Sequence, residues 1–187
     1  MSDNKPNKYE GKVLIADPFL QDPYFSRSVI LLTEINDEGS IGFILNRPLS
    51  LSVEEAIEDF PDFDKFLSLG GPVEQEVMFF LHTKGDIIDG SVEVAKGLYW
   101  GGNFDQLKVL ISQELIKESD IHFYLGYAGW SPGQLEYELK QGNWSVGDYS
   151  PLYIDENTSE NIWKKAILRS DNKFSFLANF PENPSLN

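Results

Sequence analysis

The segment from Gly126 to Glu136, GYAGWSPGQLE, constrains the fold of this chain more than any other. The residues just before it, Ile121 to Leu125, are mostly apolar and are typical of a strand, whereas Gln134 to Gln141 is typical of a helix. Between the two, glycine, serine and proline mark a turn. The sequence therefore predicts a strand, a tight turn and a helix in direct succession.

The same segment contains GWSPG, a match to the G-x-S-x-G pattern of serine esterases. Ser131 would then be the nucleophile, but the next residue is Pro132, which has no N–H to donate in an oxyanion hole. The two histidines, His82 and His122, both precede Ser131, whereas the esterase fold takes its base from downstream. We therefore interpret the motif as a helix start, with Ser131 as N-cap, Pro132 at the first helical position and Gln134 at the third.

Trp130 lies directly before this turn and follows two small residues, so the chain around it can approach closely. We expect its ring to be buried and to wedge the turn against the LGGPV segment, residues 69–73. Its indole N–H then needs an acceptor, for which we expect a backbone carbonyl. Gln134 is expected to hydrogen-bond to the N–H of Ser131. A purely functional motif predicts the opposite, an exposed indole on a rigid scaffold.

Length and composition indicate one compact domain. The chain has 187 residues, of which 41% are hydrophobic and 13% aromatic, enough for one packed core. We expect residues 1–10 to be a disordered tail and residues 11–187 to form the domain. The first residues have no apolar signal region, and no apolar run approaches the roughly 20 residues that span a bilayer. The absence of cysteine excludes disulfides and favours a cytoplasmic location.

The net charge limits the classes of partner. Thirty acidic residues against 15 basic ones give a formal charge of −15. Such a charge opposes direct binding to nucleic acid, which depends on Lys and Arg neutralising phosphates, and it repels anionic membranes. We therefore expect a protein or a small molecule as the partner, and no membrane association.

Strands and helices alternate along the chain. Predicted strands are Lys12 to Asp17, Ser28 to Ile35, Ser40 to Asn46, Val77 to Thr83, Val92 to Ala95, Leu98 to Trp100 and Trp144 to Val146, and predicted helices follow the caps Ser52, Asn103 and Asn157. The turn NDEG between the second and third strands predicts an antiparallel hairpin. We therefore predict a mixed α+β domain with a partly antiparallel sheet and short helices, not a doubly wound parallel one.

Cofactor and metal sites have little support in the sequence. Two histidines 40 residues apart form no local chelate, so no metal is expected. His82 and His122 both fall in apolar strands and are expected to be hydrogen-bonded structural residues. Gly70 and Gly71, followed by proline, can form either an anion-binding nest or a plain turn, and the turn is favoured because no phosphate-loop pattern accompanies them. No cofactor is expected.

Two of the three arginines, Arg27 and Arg47, lie beside turn-forming motifs at strand ends, where binding sites gather. A guanidinium there can bind a carboxylate or a phosphate group in bidentate fashion, through two parallel hydrogen bonds. The alternative, which we favour, is that each arginine braces its loop by binding Asp17, Asp22 or a backbone carbonyl.

Four segments, LIADPFLQDPYFSRSVILL, IGFILNRP, LGGPV and FYLGYAGWSPGQLEYELKQGNW, resemble in order and spacing the YqgE/AlgH family of bacterial proteins. The similarity extends from about Gly11 to Trp163. The resemblance implies a compact domain with a bifurcated, partly barrel-like sheet, and no established biochemical activity for most members. The AlgH name implies a regulator of the transcription of exopolysaccharide genes. No catalytic role comes with the resemblance, for Ser131 or for any other matching residue.

Our leading hypothesis is a non-enzymatic cytoplasmic regulatory or binding protein that acts through a protein partner or a small ligand. The candidate binding residues are Arg27, Asn46, Arg47, Gly70, Gly71, Trp130 and Gln134. The alternative is an enzyme of unknown class with its site near Arg27, Asn46, Arg47 and Gln134. The enzyme hypothesis requires those four side chains to converge on one concave pocket.

Overall fold

The structure is a computed structural model that describes residues 7–155 and 159–180. Within them lie ten strands: β1 Lys12–Ala16, β2 Val29–Asn36, β3 Gly39–Ile44, β4 Pro48–Ser52, β5 Phe66–Leu69, β6 Val73–His82, β7 Val92–Ala95, β8 Leu98–Trp100, β9 Ile121–Trp130 and β10 Trp144–Asp148. The α-helices of the same ranges are α1 Val53–Ala56, α2 Phe104–Ser112, α3 Gln134–Gln141, α4 Leu152–Asp155 and α5 Ser159–Arg169. Short 3-10 helices span Glu118–Asp120 and Ser175–Asn179.

The strands form one curled sheet with the order β10, β1, β2, β3, β9, β6, β8, β7, and every neighbouring pair in this path is antiparallel. The curl brings β7 close to the start of β1, since a Cβ placed on Gly11 would lie 2.1 Å from the carbonyl oxygen of Val94. The sheet is therefore a half-barrel. The predicted α+β domain with a barrel-like, partly antiparallel sheet is confirmed.

The sheet divides at β9. On one edge of β9, β5 pairs in parallel with residues 123–125 and β3 pairs in antiparallel fashion with residues 128–130. Gly126 lies between these two partners with φ of 67°, and a Cβ there would meet the carbonyl oxygen of Val73 at 2.5 Å. Glycine is required because its φ is left-handed and the backbones are so close. The remaining strand, β4, pairs with β5 and completes a branch of the sheet.

Two apolar clusters lie on the two faces of β9, because successive side chains of a strand point to opposite faces. Phe123 belongs to the smaller cluster, which includes the buried Leu107 of α2. Tyr124 belongs to the larger cluster, together with Phe43 of β3 and Trp163 of α5. The α5 helix is fixed to the sheet by the Trp163 indole, which donates to the carbonyl of Ala16 at 2.9 Å.

Two local predictions from the first half of the chain are confirmed. Asn36 pairs with Gly39 across the two-residue turn of the β2–β3 hairpin. Ser52 and Glu55 form a capping box at α1: the Glu55 N–H donates to the Ser52 hydroxyl at 3.2 Å, and the Ser52 N–H donates to the Glu55 carboxylate at 2.9 Å. These hydrogen bonds lower the pKa of Glu55. The helix is shorter than its apolar pattern, since it ends at Ala56 with Ile57 as C-cap.

The chain ends differ in part from the sequence expectation. Residues 7–10 of the predicted tail form a turn, in which the Glu10 N–H donates to the Asn7 carbonyl at 3.0 Å and Tyr9 packs against the larger cluster. Residues 1–6 and the predicted helix cap Asn157 lie outside the described residues. Near the C-terminus, Ala178 is buried while the ring of Phe176 remains exposed. Among the described helices, none is long and apolar enough to cross a bilayer.

Candidate functional site

The GYAGWSPGQLE segment folds as a strand, a turn and a helix, as predicted. β9 ends at Trp130, and α3 begins at Gln134. The N-cap is Gly133, in the left-handed conformation with φ of 77°, so the predicted N-cap at Ser131 is wrong by two residues. Glycine completes the turn after Pro132 because it tolerates positive φ. The predicted side-chain bond is present: the Ser131 N–H donates to the Gln134 amide oxygen at 3.0 Å.

The centre of the motif is the carboxylate of Glu138 on α3. One of its oxygens accepts the indole N–H of Trp130 at 3.0 Å and that of Trp144 at 2.8 Å. The other oxygen accepts the side-chain amide of Gln134 at 2.9 Å. A single carboxylate therefore ties the end of β9, the start of β10 and α3 together through charge-assisted hydrogen bonds.

Trp130 is 5% exposed, so its predicted burial is confirmed. Its aromatic neighbours are Phe25, with ring centroids 6.4 Å apart and nearly parallel, and Trp144, at 6.2 Å and edge-on. The ring was predicted to pack against LGGPV and to donate its N–H to a backbone carbonyl; the acceptor prediction is wrong, because the acceptor is the Glu138 carboxylate. The sequence did not show that α3 returns over the ring and places Glu138 within reach.

Asn46 and Arg47 brace the loop that precedes β2. Asn46 is 2% exposed, and its side chain accepts from the Val29 N–H at 2.9 Å and donates to the Arg27 carbonyl at 2.8 Å. Arg47 donates to the carbonyl of Ser26 and, at 3.2 Å, to that of Asn46. These contacts correspond to the bracing alternative, in which a backbone carbonyl engages the guanidinium.

Arg27 belongs to the same loop, and its carbonyl accepts from the Asn46 side chain. Its guanidinium donates to the carbonyl of Phe180 at 2.8 Å and stands 4.9 Å from the ring centroid of Trp163. This cation–π contact ties the loop to α5. Gln134 belongs instead to the Glu138 cluster, so the structure divides the four residues of the enzyme hypothesis between two clusters.

Gly70 and Gly71 serve the branch point of the sheet. The Gly70 N–H donates to the Leu125 carbonyl at 2.8 Å, and the Gly70 carbonyl accepts from the Ile44 N–H at 2.8 Å. A Cβ on Gly71 would lie 2.1 Å from the carbonyl carbon of Tyr127. The Gly70 N–H is thus already hydrogen-bonded within the sheet. This agrees with the turn interpretation, whereas an anion-binding nest needs that N–H for its ligand.

His82 is 1% exposed and fully engaged in hydrogen bonds. Its Nδ1 accepts from the Lys84 N–H at 3.2 Å, and its Nε2 lies 3.0 Å from the Gly101 carbonyl, to which it donates. Burial lowers the pKa of His82, so the ring is neutral with its proton on Nε2. It therefore cannot take a proton from the neighbouring hydroxyl of Ser91, which donates to the Ile88 carbonyl at 2.7 Å.

A cavity of about 820 Å³ lies beside the branch formed by β4, β5 and β9. This volume is typical of small-molecule sites. Residues of all three strands line it: Pro48, Leu49, Ser50, Phe66, Leu67, Ser68, His122 and Tyr124. Leu45 of the β3–β4 connection, Ile154 of α4 and Ile162 of α5 provide apolar walls.

The imidazole of His122 and the phenol of Tyr124 in this cavity are neutral. Burial, followed by the nearby charge of Lys65, lowers the pKa of His122 to about 3. Burial, followed by the proximity of Tyr149, raises the pKa of Tyr124, which is 1% exposed. Within the described part of the chain, neither the His122 ring nor the Tyr124 hydroxyl has a hydrogen-bond partner. Among residues 7–155 and 159–180, no three His, Asp or Glu side chains are grouped to hold a metal ion.

Comparison with known proteins identifies the family. A profile of the AlgH-like family matches residues 13–175. The chain is a member of the AlgH-like family. It is 46% identical over 177 residues to a UPF0301 protein of Chlorobaculum tepidum, with 95% of each chain covered. It is also 38% identical over 179 residues to a UPF0301 protein of Cytophaga hutchinsonii, with 95% of this chain and 98% of that protein covered.

Two solved structures share the AlgH-like fold. A crystal structure of a protein from Corynebacterium diphtheriae has a TM-score of 0.76 and 26% identity, with 96% of this chain and 95% of that chain covered. The solution structure of AlgH from Pseudomonas aeruginosa has a TM-score of 0.73 and 29% identity, with 97% and 98% covered. The resemblance stated from the four sequence segments is thus confirmed.

The cavity of this AlgH-like protein was only partly visible in the sequence. Of the candidate binding residues, Asn46 lines it, and the others lie elsewhere. His122 and Tyr124 were missed, although their spacing of two within the predicted strand places them on one face. The strand β5, which supplies Ser68, was not predicted, so the partner of that face could not be identified.

Proposed function

We propose that this AlgH-like protein is a non-enzymatic cytoplasmic regulatory protein that binds a small ligand in the cavity beside β4, β5 and β9. The observation that carries the proposal is a cavity of about 820 Å³ that contains hydrogen-bonding groups without partners. Among the described residues, only the Ser28 hydroxyl is fully buried without a partner, so the polar atoms of His122 and Tyr124 are open to the cavity, where a ligand can reach them. A bound ligand would supply the missing partners for His122 and Tyr124.

The chemistry of the potentially reactive residues favours binding over catalysis. Ser131 is followed by Pro132, which offers no N–H to an oxyanion. His82 already uses its Nε2 proton in a hydrogen bond to Gly101. His122, with a pKa of about 3, is a weak base at neutral pH, where an efficient general base has a pKa near the operating pH.

A ligand in the cavity would contact two helices that a partner protein can also contact. Its walls combine the strand face with Ile154 of α4 and Ile162 of α5, so a ligand that fills it contacts both. A bound ligand therefore stabilises the packing of these helices on the sheet. A partner protein that contacts the helices can then distinguish the ligand-bound from the ligand-free protein. Direct DNA binding is not part of the proposal because of the charge of −15. A gel-shift assay is expected to show no salt-sensitive complex at nanomolar protein concentration.

Native mass spectrometry of the protein purified from its own host tests the proposal. We expect a small-molecule mass increment that disappears under denaturing conditions. Ser68→Trp, which fills the cavity, should abolish the increment, whereas Ser112→Trp on the exposed surface of α2 should retain it. Circular dichroism establishes that both variants are folded. An increment that persists in folded Ser68→Trp, or no increment in any sample, would contradict the proposal.

A further inference from the structure

We infer that the ligand of this cavity is an uncharged molecule that both donates and accepts hydrogen bonds and also carries an apolar part. The inference rests on the proposed function and specifies its ligand class. It is drawn from the strand register, from the charges around the cavity and from its apolar walls.

The strand register places the polar groups of the cavity side by side. Ser68 of β5 pairs with Tyr124 of β9 on one edge and with Pro48 of β4 on the other. His122 lies two residues before Tyr124 and shares this face. Ser68, Tyr124 and His122 therefore form a row of hydroxyl, phenol and imidazole groups across β5 and β9. Ser50, which is exposed and lies beyond an irregularity in the β4–β5 register, also lines the cavity.

Each group in this row can both donate and accept a hydrogen bond. Serine and tyrosine hydroxyls have one donor and acceptor lone pairs, and a neutral imidazole has one nitrogen of each kind. Within the described residues, the side chains of Ser50, Ser68, His122 and Tyr124 have no hydrogen bond to another residue. A ligand that only donates or only accepts would leave part of this row unpaired, which is unfavourable in a partly buried site.

The charges around the cavity disfavour an anion, and its apolar walls disfavour an ion of either sign. Two carboxylates, Asp64 and Glu118, line it against one ammonium, that of Lys65, and the whole chain carries −15. The Lys65 ammonium donates to the Glu118 carbonyl at 2.7 Å, so it is already engaged. An anion is repelled by the overall field, and an ion of either sign loses hydration against the apolar walls.

Three probes of nearly the same shape separate the possibilities. Benzamide is uncharged and both donates and accepts, benzoate is an anion that only accepts, and benzamidine is a cation that only donates. Each is titrated into the full-length protein while amide signals of residues 66–68 and 122–124 are followed by NMR. We expect benzamide to bind at least about fivefold more tightly than either ion, as one unpaired buried group implies.

A matched pair of variants tests whether the polar row makes the contact. Tyr124→Phe removes one cavity hydroxyl and keeps the ring, whereas Tyr137→Phe removes a hydroxyl from a side chain that is 63% exposed on α3. We expect Tyr124→Phe to weaken benzamide binding about three- to tenfold and Tyr137→Phe to leave it unchanged.

Tighter binding of benzoate or benzamidine at the same amides would overturn the uncharged class and leave the site in place. Unchanged benzamide affinity in folded Tyr124→Phe would overturn the role of the polar row. If none of the three probes shifts these amides, the small-molecule site itself is wrong, and the proposed function fails with it.

Discussion

Trp130 and Trp144 donate their indole N–H groups to the same carboxylate oxygen of Glu138, at 3.0 and 2.8 Å. The two rings are edge-on to each other, so the shared acceptor sets their relative orientation. Trp130 ends β9 and Trp144 begins β10, and the acceptor lies on the helix between them. The G-W-x-x-G-Q motif therefore has a structural role: its Trp130 and Gln134, together with Trp144, bind the Glu138 carboxylate, and we call these four residues the clamp.

Replacing the clamp carboxylate tests this assignment. Glu138→Gln keeps the shape but removes the charge and one acceptor, and we expect a loss of about 1–3 kcal/mol in the free energy of unfolding. Glu136→Gln, two residues away and exposed, is the control and should change stability by less than about 0.5 kcal/mol. Urea denaturation measures both. Equal effects in the two variants would show that the clamp does not contribute to stability.

The ring itself contributes through packing. Trp130 is 5% exposed and contacts Phe25 and Trp144, so Trp130→Ala should lose about 3 kcal/mol or more because a cavity forms. Tyr137→Ala, at a ring that is 63% exposed, should have a much smaller effect. A thermal melt of Trp130→Ala indistinguishable from that of the wild type would contradict the structural role of the motif.

The difference between what was predicted and what was missed has a physical basis. The hairpin around Asn36 and the capping box of Ser52 are set by neighbouring residues, and both are visible in the sequence. The acceptor of the Trp130 indole depends on where α3 packs, which is a tertiary property. The strand β5 was missed because it is four residues long and is stabilised by its parallel pairing with β9, far along the chain.

The candidate site was also missed because it depends on pairing between strands that are distant in the sequence. His122 was expected to be a hydrogen-bonded structural histidine, because a histidine in an apolar strand is usually satisfied. Its ring instead faces a cavity that only the pairing of β4 with β5, and of β5 with β9, creates. Arg27 and Arg47 were candidate binding residues, and each donates to a backbone carbonyl, a contact that composition does not reveal.

The branch point of the sheet makes a prediction about glycine. A Cβ at Gly71 would lie 2.1 Å from the Tyr127 carbonyl carbon, so Gly71→Ala must push the backbone of β9 and should cost more than about 3 kcal/mol. Gly97 is the control, because its φ of 73° strains an alanine but nothing lies within 4 Å. We expect Gly97→Ala to cost about 1–2 kcal/mol. Chemical denaturation compares them, and a smaller loss in Gly71→Ala would refute the close contact.

The buried imidazole of the cavity predicts a dependence of stability on pH. The pKa of His122 is about 3 in the folded protein, below the value near 6.5 of an unfolded chain, so the unfolded state binds more protons between these values. Stability should therefore be lost as the pH falls from about 6.5 towards 3.

Between pH 7.5 and pH 5, the wild type should lose about 2 kcal/mol more than His122→Gln, which cannot titrate. The effect of His82 is common to both proteins and cancels in the difference. Urea denaturation at the two pH values measures it, and NMR titration of the His122 ring should show no protonation above pH 5. A ring that titrates near pH 6.5, or equal losses in the two proteins, would show that the imidazole is exposed to water rather than held neutral in the cavity.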